Sequence, residues 1–258
     1  MKLHYTQQGT GQAVILLHGM FGCLTSLGNL ADELSAGYRV ISVDLRNHGD
    51  SPHAQQMDIP TMASDIVKLI DELGLSTASL IGHSLGGKIA MQVALNYPHR
   101  VTNLVVADIA PVTYTPRQDP FLQAFLALSS LDIYSRDQAK SIVAEHVQAP
   151  EHQAFLLESL TRKDSGVYGL KINISAISEN YATSLAVAPA GYPYSGPVLF
   201  LKGETSAYIQ SKHQPIMAEL FPNMELHVMK GVGHWVHFEN PLEFTQGVKR
   251  FLSYAQIF

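Results

Sequence analysis

Short, nearly unbroken apolar runs recur along this chain, and between them apolar residues fall at helical spacing. The runs at 13–17, 39–43, 78–81, 103–107, 198–202 and 224–229 are rich in Val, Ile and Leu, as strands covered on both faces are. Between two of them, Met62, Ile66, Leu69, Ile70 and Leu73 share one helical face, with Thr61 as the expected cap and Gly74 as the stop. The final helix starts at Asn240-Pro241-Leu242-Glu243, a cap followed by proline in the first turn and an acid at its third position. Such alternation predicts an α/β fold with a mainly parallel sheet flanked by helices.

One stretch breaks the pattern. From 113 to 197 the apolar positions read as consecutive helices, with Phe121, Leu122, Phe125, Leu126 and Leu128 in one and Ile142, Val143, His146 and Val147 in another. A block this long exceeds ordinary connections, so it is expected to be a helical cap inserted between two strands. The expected division is a core of 1–112 and 198–258 with a cap of 113–197.

Composition narrows the class. Of 258 residues, 46% are hydrophobic and 15% charged, which suits a folded globular enzyme rather than a disordered chain. A net charge of −5 without a basic run argues against nucleic acid as a partner. With Cys23 as the single cysteine, no intramolecular disulfide can form. The N-terminus lacks the apolar core of a signal peptide and the apolar runs are too short to cross a bilayer, so a cytoplasmic protein without membrane insertion is expected.

The chemistry centres on Gly82-His83-Ser84-Leu85-Gly86, a G-x-S-x-G set directly after one strand and before the helical stretch from Lys88 to Asn96. Flanking glycines permit the sharp turn that exposes the Ser84 hydroxyl, and the following helix aims its N-terminus at it. The same residues imitate a phosphate-binding loop, G-x-x-x-x-G-K, but Ile89 stands where that loop needs Ser or Thr for magnesium. A nucleophilic serine needs a base, and His234 lies between the last strand and the last helix, where the chain order Ser, acid, His puts it. His237 is close enough to be a rival. A metal shared by the two histidines lacks a carboxylate or cysteine at recognisable spacing, so no metal is expected there. His18-Gly19-Met20-Phe21-Gly22 follows the first buried strand, and Met20 with Leu85 supplies the expected pair of oxyanion amides, Phe21 being the alternative to Met20. The loop from Asp44 to Ser51 is read as structural, with Asp44 and Arg46 bonding neighbouring turns.

Taken together, the HGxxG turn at His18, the DxRNHGxS loop at Asp44, the GHSLGGK elbow at Gly82 and the GxGHWVHxExP ending at Gly231 resemble the α/β-hydrolase fold. The segment DIAPVxY from Asp108 is similar to YbfF-like bacterial esterases and their eukaryotic abhydrolase-domain relatives. The resemblance implies a cofactor-free serine hydrolase of small acyl esters or thioesters, with a helical lid between the sixth and seventh strands of the fold. Most relatives carry the acid three residues after the glycine that ends the seventh strand. Here that place is Ser206, which cannot serve as a charged partner. Two carboxylates compete instead: Asp108, at the end of the strand beside the nucleophile strand, and Glu204, one residue past Gly203. Asp108 is favoured by position and by the resemblance.

Phe21, Phe121, Phe125, Leu126 and Tyr181 are expected to line an apolar acyl pocket suited to short or medium chains, with Arg117 at its mouth to meet a polar or anionic group. A non-hydrolytic enzyme of the same fold, such as a cofactor-independent lyase or haloperoxidase-like protein, and a ligand-binding regulator are the competing readings. Monomer and dimer both stay open.

Overall fold

Seven strands form one sheet, and six of the seven were legible as apolar runs. The computed structural model describes residues 1–115 and 119–254. The chain runs through β1 (Tyr5–Gln8), β2 (Gln12–Leu17), α1 (Gly28–Leu34), β3 (Tyr38–Val43), α2 (Ile59–Glu72), β4 (Ala78–His83), α3 (Leu85–Asn96) and β5 (Val101–Ala107). It then leaves the sheet for α4 (Pro120–Ser129), α5 (Arg136–His146), α6 (Pro150–Leu157), two short strands β6 (Leu160–Arg162) and β7 (Tyr168–Leu170), and α7 (Ile174–Asn180). A π-helical turn, Tyr181–Leu185, continues α7. The sheet resumes with β8 (Val198–Gly203), followed by α8 (Gln214–Leu220), β9 (Met224–Met229), α9 (Val236–Glu239) and α10 (Pro241–Tyr254).

The strand order is β1-β3-β2-β4-β5-β8-β9. β1 pairs antiparallel with β3, whereas the pairings from β3 across to β9 are parallel. Leu17 pairs with Gly82, His83 with Ala107, and Ala107 with Leu201. This register brings the carboxyl ends of β2, β4, β5 and β8 level, so the residues that follow them open onto one edge, where ligands of open parallel sheets bind. One buried cluster packs α2, α3 and residues of the inserted segment against the sheet, including Leu122, Phe125 and Ile177. A second holds α1 and α10 to the opposite face through Leu30, Leu34, Phe244 and Val248.

Several elements differ from those the sequence predicts. β1 went unrecognised because Tyr5-Thr6-Gln7-Gln8 is polar and mostly exposed, pairing only at the sheet edge. The strand that precedes the inserted segment is the fifth along this chain, not the sixth, since β1 alone stands before the buried β2. Asp58, not Thr61, caps α2: its carboxylate accepts the Thr61 N–H at 2.7 Å and Pro60 occupies the first turn. The inserted segment is not wholly helical, because three-residue strands at 160–162 and 168–170 are too short to register as a pattern. Gly74 does end α2, at φ +66°, with its N–H on Asp71 and that of Leu75 on Ile70. No helix among the described residues is long and apolar enough to cross a membrane.

Arg46 is buried, with Nε 2.6 Å from Asp65 of α2 and Nη1 2.7 Å from the Gln56 carbonyl. Removing Asp65 leaves an uncompensated guanidinium inside. Asp65→Ala should therefore lower the unfolding free energy by about 3–5 kcal/mol, measured by urea denaturation.

Candidate active site

Ser84 sits between the end of β4 and the start of α3 with φ +50° and ψ −113°, a conformation that costs a non-glycine residue on the order of 1–3 kcal/mol. The turn is over-determined by its surroundings. A Cβ on Gly82 would lie 2.3 Å from the Gly86 carbonyl oxygen, and one on Gly86 would lie 2.2 Å from that of Leu17. The Ser84 N–H donates to the Ala107 carbonyl at 3.0 Å, tying the turn to β5.

Directly beyond that carbonyl, Asp108 makes a second strained turn at φ +50°, held by its N–H on the Leu201 carbonyl at 2.8 Å. Its carboxylate is 0% exposed and fully engaged. Oδ1 accepts the Gly203 N–H at 3.0 Å, while Oδ2 accepts the Ser206 hydroxyl and faces His234 Nδ1 at 2.8 Å. The other ring nitrogen of His234, Nε2, lies 3.1 Å from Ser84 Oγ. The structure thus brings Ser84, His234 and Asp108 into one chain of hydrogen bonds. Glu204 points elsewhere: it is exposed and its carboxylate accepts the Gly231 N–H at 2.9 Å. Ser206, at the place where the resemblance implied an acid, donates to Asp108.

His234 is steadied from two further sides. Tyr208 stacks on its ring with centroids 4.0 Å apart, and His83 Nε2 donates to its carbonyl at 2.9 Å. Neither contact is legible in the sequence, because His83 comes from the end of β4 and Tyr208 from the loop after β8, both brought to His234 only by folding. His237 does not compete for Ser84. Its ring packs 4.4 Å from that of His83, Nδ1 is buried without a partner among the described residues, and burial lowers its pKa to about 3.

Two more buried histidines fix the turn after β2. His18 Nε2 accepts the Leu45 N–H at 3.1 Å, so Nδ1 carries the proton and donates to the Gly19 carbonyl at 2.7 Å. His48 Nε2 accepts the Phe21 N–H at 3.3 Å, and Nδ1–H donates to the Arg46 carbonyl at 2.9 Å. Phe21, itself at φ +68°, therefore has its amide spent on His48, while Met20 lines the cavity beside Ser84. Asp44 supports the same turn by accepting the Leu24 N–H at 2.7 Å, and also binds the Asp50 N–H at 2.9 Å, in keeping with a structural loop.

A cavity of about 530 Å³ opens beside Ser84 and His234. Met20, Phe21, Leu85, Phe121 and Tyr181 line it, and Tyr181 donates its hydroxyl to Asp119 at 2.8 Å. Phe125 does not reach it. That side chain is 0% exposed and packs behind Phe21 with ring centroids 5.3 Å apart, because the inner face of α4 turns it toward the sheet. Leu126 likewise packs against the core cluster instead of the cavity. Arg117 lies outside the described residues. Trp235, Tyr208, Tyr114 and Lys88 line the cavity as well, without having been singled out for it.

A family model described as the alpha/beta hydrolase fold matches residues 12–241. This chain belongs to the α/β-hydrolase family. Esterase YbfF of Escherichia coli is 34% identical over 249 residues, covering 95% of this chain and 95% of that protein. The mouse sn-1-specific diacylglycerol lipase ABHD11 is 35% identical over 249 residues, 93% of this chain and 81% of that protein. Among solved structures, a marine microorganism esterase superposes with a TM-score of 0.91 at 35% identity, covering 97% of this chain and 99% of that one.

Burial lowers the pKa of His18 to about 4 and that of His48 to about 3, whereas both titrate near 6.5 when the chain is unfolded. Between those values the unfolded state binds protons that the folded state refuses. Stability from each residue is complete above pH 6.5 and drains away as the pH falls, by about 1.4 kcal/mol per pH unit. His48→Gln can keep a donor and an acceptor without titrating. Its loss of unfolding free energy between pH 7 and pH 5, measured by denaturant titration, should be about 2 kcal/mol smaller than that of the unaltered protein.

Proposed function

We propose that this chain is an ester hydrolase that works through an acyl-enzyme on Ser84. His234 Nε2 takes the proton from the Ser84 hydroxyl as Oγ attacks the acyl carbonyl, and Asp108 holds the Nδ1–H tautomer and stabilises the imidazolium that forms. The Met20 and Leu85 backbone amides receive the oxyanion, aided by the free N–H groups at the start of α3. His234 then returns the proton to the leaving alcohol, and water repeats the sequence to free the acid.

The observation that carries this reading is the unbroken relay at the cavity mouth, 3.1 Å from Ser84 Oγ to His234 Nε2 and 2.8 Å from His234 Nδ1 to Asp108. Relatives of about 35% identity that bear the names esterase and diacylglycerol lipase support a small-molecule carboxylic ester as substrate. Phe21, Phe121 and Tyr181 give the acyl group an apolar wall, with residues 113–197 acting as a cap over it.

A fluorophosphonate should label Ser84, and the protein should turn over p-nitrophenyl esters. Ser84→Ala should lose both, with turnover down by several powers of ten at unchanged melting temperature. Substantial residual turnover in the folded variant would show that another group attacks.

Asp108→Asn should cut turnover by about 10³–10⁴-fold, since an amide at this place stabilises the wrong imidazole tautomer. Glu204→Gln should change it no more than an ordinary surface substitution does. The opposite ranking on a single ester substrate assigns the acid to Glu204.

A further inference from the structure

Lys88 stands one helical turn beyond Leu85 on α3 and lines the cavity beside Ser84, yet the ester-cleaving chemistry makes no use of it. It is 3% exposed. Burial pulls its pKa down to about 7, so an ammonium survives at this depth only when its protons find acceptors. It finds three. Nζ lies 3.3 Å from the Leu185 carbonyl, 2.7 Å from that of Ala186 and 2.8 Å from that of Val187. An ammonium has three N–H donors, so none is left for an anionic substrate.

Those carbonyls end the π-helical turn that continues α7, and the last carbonyls of a helix have no partner within it. A lysine placed there satisfies them and meets the negative end of the helix dipole. Tyr114 reinforces the arrangement. Its ring covers Nζ at 5.0 Å, its N–H donates to the Ala186 carbonyl at 3.0 Å, and its hydroxyl donates to the Tyr208 carbonyl at 2.6 Å. Tyr208 is the ring stacked on His234. Leu185 and Ala186 themselves line the cavity. The inserted segment is thereby pinned to the nucleophile helix at the wall of the cavity, and through Tyr114 to the loop that steadies the base.

We propose that Lys88 is a specificity-determining latch, which holds the turn at 185–187 against α3 and so limits the length of acyl chain the cavity admits. The proposal rests on the ester-hydrolase reading. Without the ammonium, the Leu185 and Val187 carbonyls lose this donor and that of Ala186 keeps only the Tyr114 N–H, so the turn is released to move outward to water, which lengthens the cavity at that end.

The test compares Lys88→Ala, Lys88→Arg and the unaltered protein. In Lys88→Ala the ratio of kcat/KM for p-nitrophenyl octanoate to that for the acetate should rise at least about fivefold, and backbone amides around 182–190 should exchange hydrogen faster. Propylammonium, which replaces the missing atoms of the side chain, should reverse both changes. Lys88→Arg, which keeps a cation with several donors, should stay within about twofold of the unaltered ratio. An unchanged ratio in folded Lys88→Ala, with or without faster exchange, overturns the proposal, as does a raised ratio that propylammonium leaves in place. If the unaltered protein hydrolyses no ester at all, it is the ester-hydrolase reading that fails. The exchange data then decide the latch alone: faster exchange reversed by propylammonium sustains it, and unchanged exchange removes it.

Discussion

Everything at the site hangs on how closely β2, β4, β5 and β8 approach one another at their carboxyl ends. Gly82 and Gly86 let the turn after β4 fold back to within contact of β2, and at Gly203 a Cβ would lie 1.9 Å from the Gly233 carbonyl oxygen. With side chains at these crossings the strand ends could not converge. Convergence is also what holds Ser84 and Asp108 at positive φ, since each donates its N–H to a carbonyl near the end of the neighbouring strand. Strain at two adjacent turns is sustained by the rigidity of a parallel sheet buried on both faces.

Buried imidazoles form a scaffold around this edge. His18 and His48 each donate through Nδ1 to a carbonyl and accept a backbone N–H through Nε2, crosslinking the turns after β2 and β3. His83 does similar work for the loop that carries His234. Neutral imidazole suits these places because it offers one donor and one acceptor on opposite sides of a rigid ring, and burial keeps it neutral. His234 differs from them in its partners: it faces a carboxylate on one nitrogen and a hydroxyl on the other.

Asp108 is held by groups from three different parts of the chain. Asp108 reaches His234 from the end of β5, and Ser206 beyond β8 donates to the same carboxylate oxygen that faces His234. The Gly203 N–H adds a bond to the other oxygen. A carboxylate wholly removed from solvent is tolerable only when its lone pairs are met in this way.

Apolar periodicity and glycine spacing determined the parallel sheet, the helices beside it, the turn at Ser84 and the histidine between the last strand and α10, because these are local patterns of residues near in sequence. Period-free segments escaped: the polar edge strand β1, the β6–β7 hairpin and the cap of α2. The choice between Asp108 and Glu204 could be argued from strand position, yet only the tertiary structure decides which carboxylate faces His234, since that depends on the register of β5 against β8. The same holds for Phe125, which helical spacing alone could not assign to the cavity or to the layer behind it. Lys88 meets Ala186 across 98 residues of chain and Tyr114 meets Tyr208 across 94, and such contacts leave no periodic trace in a sequence because folding, not spacing, brings them together.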